Sequence, residues 1–155
     1  MKLMFFLLTL AGFFGCNSTV DDAFLPVQIS TTLVASGNLY GNGGENIPMQ
    51  NMIISNNNDW TELMNKLNSV NNVTDNFTET EFDFTNFTII ALFDDIKMFG
   101  GYSIEIESVV ENPNDLTVTI RHQSPNGIAP TVITQPFFIL KISKTEKRII
   151  FKNLS

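Results

Sequence analysis

Residues 87–110 read FTIIALFDDIKMFGGYSIEIESVV and contain two strand patterns separated by a pair of glycines. The first pattern, residues 87–93, is almost wholly apolar, which is typical of a strand buried on both faces. The second pattern, residues 102–110, alternates apolar and polar side chains, which predicts a strand with one buried face. Gly100 and Gly101 lack a Cβ atom and so permit a tight reversal or a close approach to another surface. The stretch therefore predicts a sheet protein with a special connection at the glycines.

A single amphipathic helix is predicted ahead of this region. Apolar side chains recur there at helical spacing, so we expect one face of the helix to pack against a sheet. Asn58 or Asp59 can serve as the N-cap, because either side chain can accept a hydrogen bond from the free amides of the first turn. The apolar positions of this helix are Trp60, Leu63, Met64, Leu67 and Val70.

Further strand patterns lie on both sides of the helix, and loops rich in Gly, Asn or Pro separate them. A turn signal at residues 112–115 predicts an antiparallel hairpin between its two neighbouring strands. Residues 36–46 are predicted to form a loop, and Pro136 implies an edge position, a bulge or a break in its strand. The predicted fold class is α+β, a mainly antiparallel β-sheet with one amphipathic helix packed on one face, in a single domain over residues 23–155. The predicted strands cover residues 23–35, 49–54, 87–93, 102–110, 116–122, 132–142 and 148–152.

The first residues have the layout of an export signal. A short basic start and an apolar run over residues 3–14 precede Gly15 and Cys16. This layout resembles a bacterial lipoprotein signal, which implies that Cys16 becomes the lipid-bearing first residue. We therefore expect a signal peptide over residues 1–15 and a lipidated Cys16 with a tether over residues 16–22. The expected protein is exported and anchored to a bacterial membrane, on the outer-membrane, periplasmic or surface side. The alternative is an ordinary cleaved signal with a cysteine that follows by chance.

The bulk composition excludes some classes of function. The chain has 155 residues, a formal net charge of -7 and a pI near 4.5. A nucleic-acid binder normally presents a basic face, so this class is disfavoured. The chain has one cysteine, Cys16, so no internal disulfide can form. No cofactor is predicted.

The sequence contains no recognisable catalytic or metal-binding motif. The single histidine, His122, is expected to be a structural or rim residue at a strand end, because no Gly-x-Ser-x-Gly elbow accompanies it. Two acidic pairs offer oxygen ligands for Ca²⁺, but no Asp-x-Asp-x-Asp-Gly spacing is present and a solvated acidic face is favoured. The pairs are Asp94 with Asp95, and Glu105 with Glu107.

The glycine connection has two interpretations. In the first it is a tight connection whose tyrosine packs in the core. In the second it is an exposed tip that inserts into a partner, with Phe99 and Tyr102 as aromatic anchors. A second loop over residues 124–131 is expected at the same end of the sheet. The predicted partner-binding residues are Phe99, Gly100, Gly101, Tyr102, Pro125, Asn126 and Gly127.

Residues 52–152 resemble the C-terminal domain of the PrcB family, named for a subunit of a bacterial surface protease complex. The landmarks follow the order of that family, with an Asp-Trp pair that opens the helix and an Asp-Phe pair ahead of the buried strand. The glycine pair, a Pro/Gly loop and a last apolar strand come after them. The landmarks are Asp59-Trp60, Asp83-Phe84, residues 100–106, Pro125-Asn126-Gly127, Thr134-Gln135-Pro136-Phe137, Lys141 and Lys144.

The resemblance implies a non-enzymatic cell-envelope lipoprotein, an accessory subunit that binds or stabilises a protease or another envelope protein complex. An alternative is a proteinase inhibitor that inserts Gly100-Gly101-Tyr102 into a protease cleft, since a comparable Gly-Tyr loop does so in chagasin-type inhibitors. The expected partners are a protein, such as a secreted or surface protease, and a membrane reached through the lipid anchor, with no nucleic acid.

Overall fold

The strand over residues 87–93 runs through the interior of the molecule, and the computed structural model describes the chain from residue 24 to residue 154. Nearly every side chain of this strand is buried, which confirms the prediction of a strand covered on both faces. The elements are β1 Val27–Gln28, β2 Thr32–Leu39, β3 Gln50–Ile54, α1 Asn57–Leu67, a short 3-10 helix Val73–Asn76, β4 Phe87–Phe93, β5 Ser103–Glu111, β6 Asp115–Gln123, β7 Gln135–Ser143 and β8 Arg148–Asn153.

The strands form two four-stranded sheets, so the fold has three layers. One sheet has the order β2-β7-β4-β3 and the other has the order β1-β5-β6-β8. The odd-numbered side chains of β4, such as Ile89 and Ala91, pack with α1, while Ile90 and Leu92 pack against the second sheet. Because successive side chains of a strand point to opposite faces, a strand between two apolar layers has to be apolar throughout. The α+β class and the helix on one sheet face are confirmed.

The helix buries the face that the sequence predicts, but its ends differ from the prediction. Trp60, Leu63 and Leu67 are buried against the first sheet. The N-cap is Asn56, whose side chain accepts a hydrogen bond from the Asp59 N–H at 3.0 Å. The predicted caps, Asn58 and Asp59, are therefore wrong, since both lie inside the helix. Val70 is exposed because it falls beyond the last helical residue.

The predicted strand over residues 23–35 is in fact two strands in different sheets. β1 pairs with β5, whereas β2 pairs with β7. β2 also continues to Leu39, through the first part of the predicted loop over residues 36–46. The glycine in this strand, Gly37, has φ +153, a conformation that residues with a Cβ atom rarely adopt, and the strand continues through it.

Pro136 lies in β7, an interior strand, and its pairing with Asn38 continues the register without a shift, so the predicted edge position, bulge or break is wrong. The Pro136 carbonyl accepts from the Asp94 N–H at 2.9 Å. In an antiparallel pair of this kind the second hydrogen bond would run from the N–H of residue 136 to the Asp94 carbonyl, but proline has no N–H. The side-chain Nε2 of Gln135 donates to that carbonyl at 2.9 Å. The neighbouring glutamine thus replaces the missing main-chain hydrogen bond, and an interior proline is tolerated.

The connections between strands agree only partly with the prediction. The hairpin β5–β6 is antiparallel as expected, and its turn is closed by the Asn112 N–H donating to the Asp115 carbonyl at 2.8 Å. The glycine connection, however, joins β4 in one sheet to β5 in the other and is not a hairpin. β8 pairs parallel to β6, which departs from the expected run of antiparallel strands.

The predicted signal peptide, Cys16 and the tether over residues 16–22 lie outside the described residues. From residue 24 to residue 154, no helix is long and apolar enough to cross a membrane.

Candidate protein-binding surface

Two loops that cross between the sheets meet at one end of the molecule. Residues 94–102 carry the chain from β4 to β5, and residues 124–134 carry it back from β6 to β7. We call these two segments the loop pair. The expectation that the Gly-Gly and Pro/Gly loops lie at the same end is met, and all seven predicted partner-binding residues fall within the loop pair.

Main-chain hydrogen bonds hold the two loops together. Lys97 and Thr134 exchange two of them, with N···O distances of 2.7 and 3.0 Å, and so form an isolated antiparallel bridge. The Gly100 N–H donates to the Pro130 carbonyl at 2.9 Å. Three main-chain hydrogen bonds thus join the two loops directly.

The glycine pair allows this close contact. A Cβ atom on Gly100 would lie 3.0 Å from side-chain atoms of both Pro130 and Val132, and one on Gly101 would lie 2.8 Å from Pro125 Cβ. Gly101 also has φ +85, a conformation that residues with a Cβ atom rarely adopt. The glycines therefore serve close approach to the second loop, which is one of the two roles that the sequence suggests for them.

Asp94 anchors the base of the loop pair. Its carboxylate is buried, and it accepts from the Asp95 N–H at 2.7 Å and from Lys97 Nζ at 3.2 Å. The second carboxylate oxygen lies 3.3 Å from Nδ1 of His122 at the end of β6. The main-chain carbonyl of Asp94 accepts from Gln135, which also donates to the Ile47 carbonyl at 2.8 Å. Residues from three segments, residues 95–97, the end of β6 and the start of β7, thus converge on one carboxylate and its own main chain.

The expected solvated acidic face is wrong for Asp94 and incomplete for the second acidic pair. Asp94 is buried among donors, whereas Asp95 is exposed. Glu105 and Glu107 share one partner, Arg121, with N···O distances of 3.4 and 2.5 Å. Glu105 is directly opposite Arg121 on the neighbouring strand, so the cation offsets the repulsion between the two glutamates.

The outer surface of the loop pair is apolar. Phe99 is 49% exposed, Met98 is 62% exposed, and Ile128 is fully exposed at the tip of the second loop. Tyr102 is half-buried, and Lys97 Nζ lies 5.5 Å from the centre of its ring, within range of a cation–π contact. Exposed apolar side chains on loops that are held in place are typical of protein-binding sites.

The predicted site residues differ in their access to a partner. Gly100 is buried, Pro125 is half-buried, and Gly101, Asn126 and Gly127 are exposed. The sequence reasoning missed Met98 and Ile128, although a large apolar residue inside a Gly/Pro loop is a usable signal, because strand alternation does not account for it. Two aromatic residues flank the glycine pair. Phe99, before it, is exposed, whereas Tyr102, after it, is half-buried.

The side-chain chemistry of the described part of the chain is limited. Between residues 24 and 154, no group of three or more His, Cys, Asp or Glu side chains could hold a metal ion. His122 lies at the rim, as expected, and its side chain faces Asp94; no serine hydroxyl in this part of the chain hydrogen-bonds with it.

The family model PrcB C-terminal matches residues 88–143, from the second residue of β4 to the last residue of β7. The match is shorter than the range of 52–152 suggested by the sequence landmarks, and it does not include α1. No curated protein and no solved structure matched the chain. The resemblance to the PrcB C-terminal family is thus confirmed over residues 88–143, the part of the chain that carries the whole loop pair.

Proposed function

We propose that this chain is a non-enzymatic accessory protein that binds a partner protein through the loop pair. The observation that carries the proposal is the exposure of Met98, Phe99 and Ile128 on loops whose bases are fixed. Large apolar side chains in the centre of an interface contribute most of its binding energy. Loops that are already ordered lose little conformational entropy on binding, so more of that energy appears as affinity.

The family match supports one class of partner. The model that matches residues 88–143 is named for a subunit of a protease complex, which supports a protease or one of its other subunits as the partner. The proposed role is to bind and stabilise that protein. The partner-binding residues of this proposal are those of the loop pair, and none of them has to take part in a reaction.

Export and lipidation form a separate part of the proposal. A basic start, an apolar run and Gly15-Cys16 at the N-terminus support a lipoprotein signal. Acyl chains on Cys16 would hold the domain at a membrane, because each buried methylene contributes about 0.8 kcal/mol. Metabolic labelling with a radioactive fatty acid should label the wild-type chain and not Cys16→Ser, and Cys16→Ser should leave the membrane fraction. Tight membrane association of Cys16→Ser would contradict this part.

The inhibitor alternative depends on which residues could enter a cleft. Gly100 is buried against Pro130 and Val132, so the accessible tip of this loop is Met98 with Phe99. An inhibitor of this type would lower the activity of its protease when the purified chain is added, whereas an accessory subunit would maintain or raise that activity.

Site-specific photo-crosslinking in the native host tests the proposal. A photoreactive residue at position 99 should capture a protease or a subunit of its complex, and one at Val27 should not, since Val27 is 51% exposed but pairs with Glu111, at the end of β5 opposite the loop pair. Phe99→Ser should reduce co-purification of the captured protein, and Val27→Ser should leave it unchanged. Equal capture at the two positions, or a captured protein unaffected by Phe99→Ser, would contradict the proposal.

A further inference from the structure

The outer edge of β2 is open over residues 36–38. β2 ends its sheet, because its only strand partner in the described part of the chain is β7. An edge strand presents main-chain N–H and C=O groups that have no partner in the sheet and can pair with another chain.

The pairing of β7 identifies the outward-facing groups. Pro136 turns its carbonyl toward β4, where it accepts from Asp94, and its partner in β2 is Asn38. In an antiparallel ladder the N–H and C=O of one residue point to the same side of the strand. Since Pro136 points toward β4, it makes no main-chain hydrogen bond with Asn38 on its other side. Asn38 therefore turns its N–H and C=O to the open side, and so does Ser36, two residues earlier.

The chain itself already uses the first part of this edge. The Thr78 N–H donates to the Val34 carbonyl at 3.0 Å, and Phe77 before it has extended backbone at φ -76 and ψ 143. An extended segment thus adds one hydrogen bond to the edge at Val34. Among the described residues, no hydrogen bond from outside the sheet reaches the main chain of Ser36 or Asn38.

A groove of about 450 Å³ lies beside the open part of the edge, between β2 and residues 71–77. This volume is in the range of roughly 300–1,000 Å³ that is usual for ligand sites. Phe77 and Phe137, with ring centres 6.4 Å apart, supply apolar lining, and asparagines of residues 71–76 also line the groove. No lining residue is charged.

We propose that the open edge of β2 binds an uncharged, extended peptide segment of a partner protein. The segment adds as a further strand, and its main chain exchanges hydrogen bonds with Ser36 and Asn38. One apolar side chain of the segment occupies the groove over Phe77 and Phe137. The unpaired main-chain groups of Ser36 and Asn38 and the uncharged lining of the groove both favour an extended main chain over a charged ligand.

The open edge uses none of the residues of the loop pair, so this inference stands apart from the function proposed above. It is tested with a displayed library of short, random, uncharged peptides selected on the full chain. We expect peptides to be enriched, and the best of them to bind wild type and Ser36→Ala alike. Ser36→Pro removes the outward N–H, and affinity should fall about tenfold or more, because one hydrogen bond is lost and its acceptor in the peptide stays unpaired.

Two controls keep the result unambiguous. Phe99→Ser should bind the selected peptide as wild type does. Since Ser36→Pro could disturb the strand, the same peptide should also be N-methylated and tested on the unaltered chain. Methylation at amides that face β2 should lower affinity about tenfold, and methylation at the intervening amides should not.

Three outcomes would overturn the inference. Selection could enrich no peptide above a surface without protein, or Ser36→Pro could bind the selected peptide unchanged. A concentration-dependent dimer of the chain that Ser36→Pro abolishes, with no peptide enriched, would assign the edge to a second copy instead.

Discussion

Gly101→Ala is expected to destabilise the protein through two separable effects. The first is backbone strain, because φ +85 is unfavourable for any residue with a Cβ atom, by about 1–2 kcal/mol. The second is overpacking, because the new Cβ would lie 2.8 Å from Pro125 Cβ. Forcing one carbon into a filled site costs about 1–3 kcal/mol. The expected loss in the free energy of unfolding is therefore about 2–5 kcal/mol.

Two other glycines in the loop pair separate these effects. Gly127 has φ +93, but no atom lies within 4 Å of a Cβ placed there, so Gly127→Ala carries the strain alone. Gly100 is not among the residues with positive φ, and its Cβ would meet Pro130 and Val132 at 3.0 Å, so Gly100→Ala carries the overpacking alone. We expect Gly101→Ala to cost more than either of the other two, by about 1 kcal/mol or more.

Urea unfolding of the full chain measures these differences. Trp60 is the only tryptophan and is buried, so its fluorescence reports on the core that α1 forms with the first sheet. Thermal unfolding should agree, at about 2–4 °C per kcal/mol. If Gly101→Ala were as stable as Gly127→Ala, Pro125 would not press on Gly101, and the argument for tightly joined loops would fail.

Three further substitutions test other parts of the structure. Asp94→Asn removes the buried charged partner of Lys97 and should lower the free energy of unfolding, measured in urea, by about 1–3 kcal/mol. An unchanged urea midpoint would show that the carboxylate is hydrated. Trp60→Phe removes the hydrogen bond of 2.8 Å from Nε1 to the Thr80 carbonyl and should cost about 1 kcal/mol by thermal unfolding, whereas no loss would mean that water replaces it. Hydrogen bonds from the Thr85 main chain and side chain and from the Asn86 side chain hold the pKa of Asp83 below its ordinary value. The ionised carboxylate therefore contributes to the free energy of unfolding; this contribution is complete above the ordinary pKa and is lost as pH falls through the lowered pKa. Below about pH 4 the stability of Asp83→Asn should therefore fall less steeply with pH than that of wild type, and parallel curves would refute the assignment.

The features that the sequence predicts well are those with local causes. The apolar run of β4 reflects burial on both faces, and the spacing of Trp60, Leu63 and Leu67 reflects one helical face. The β5–β6 hairpin depends on a turn within residues 112–115. Each of these patterns is set by neighbours within a few positions along the chain, so it can be read without knowledge of the tertiary structure.

The features that the sequence does not predict depend on partners far apart in the chain. Whether β4 and β5 pair or enter separate sheets is not encoded in either strand pattern, and the parallel placement of β8 depends on β7 crossing to the other sheet. Pro136 indicates an edge by its own chemistry, and only the Gln135 side chain, which reaches the Asp94 carbonyl, makes an interior position tolerable. Of the candidate site, the glycines and the second loop are predictable, but the burial of Asp94 is not.

The structure also separates binding from folding within the loop pair. Gly101 packs against Pro125, whereas about half of the Phe99 surface is exposed, so substitutions at the two positions should act differently. A partner that binds only the folded loop pair stabilises the domain by mass action, by about 2.7 kcal/mol at one hundred times its dissociation constant. Phe99→Ser should remove this added stability while changing the free protein little, since exposed positions usually tolerate substitution. Gly101→Ala should instead lower the stability of the free protein and, through it, the apparent affinity. If Phe99 serves recognition, its substitution must lower the stability of the complex and leave that of the free protein nearly unchanged. A residue that served only folding would show its whole effect without any partner present.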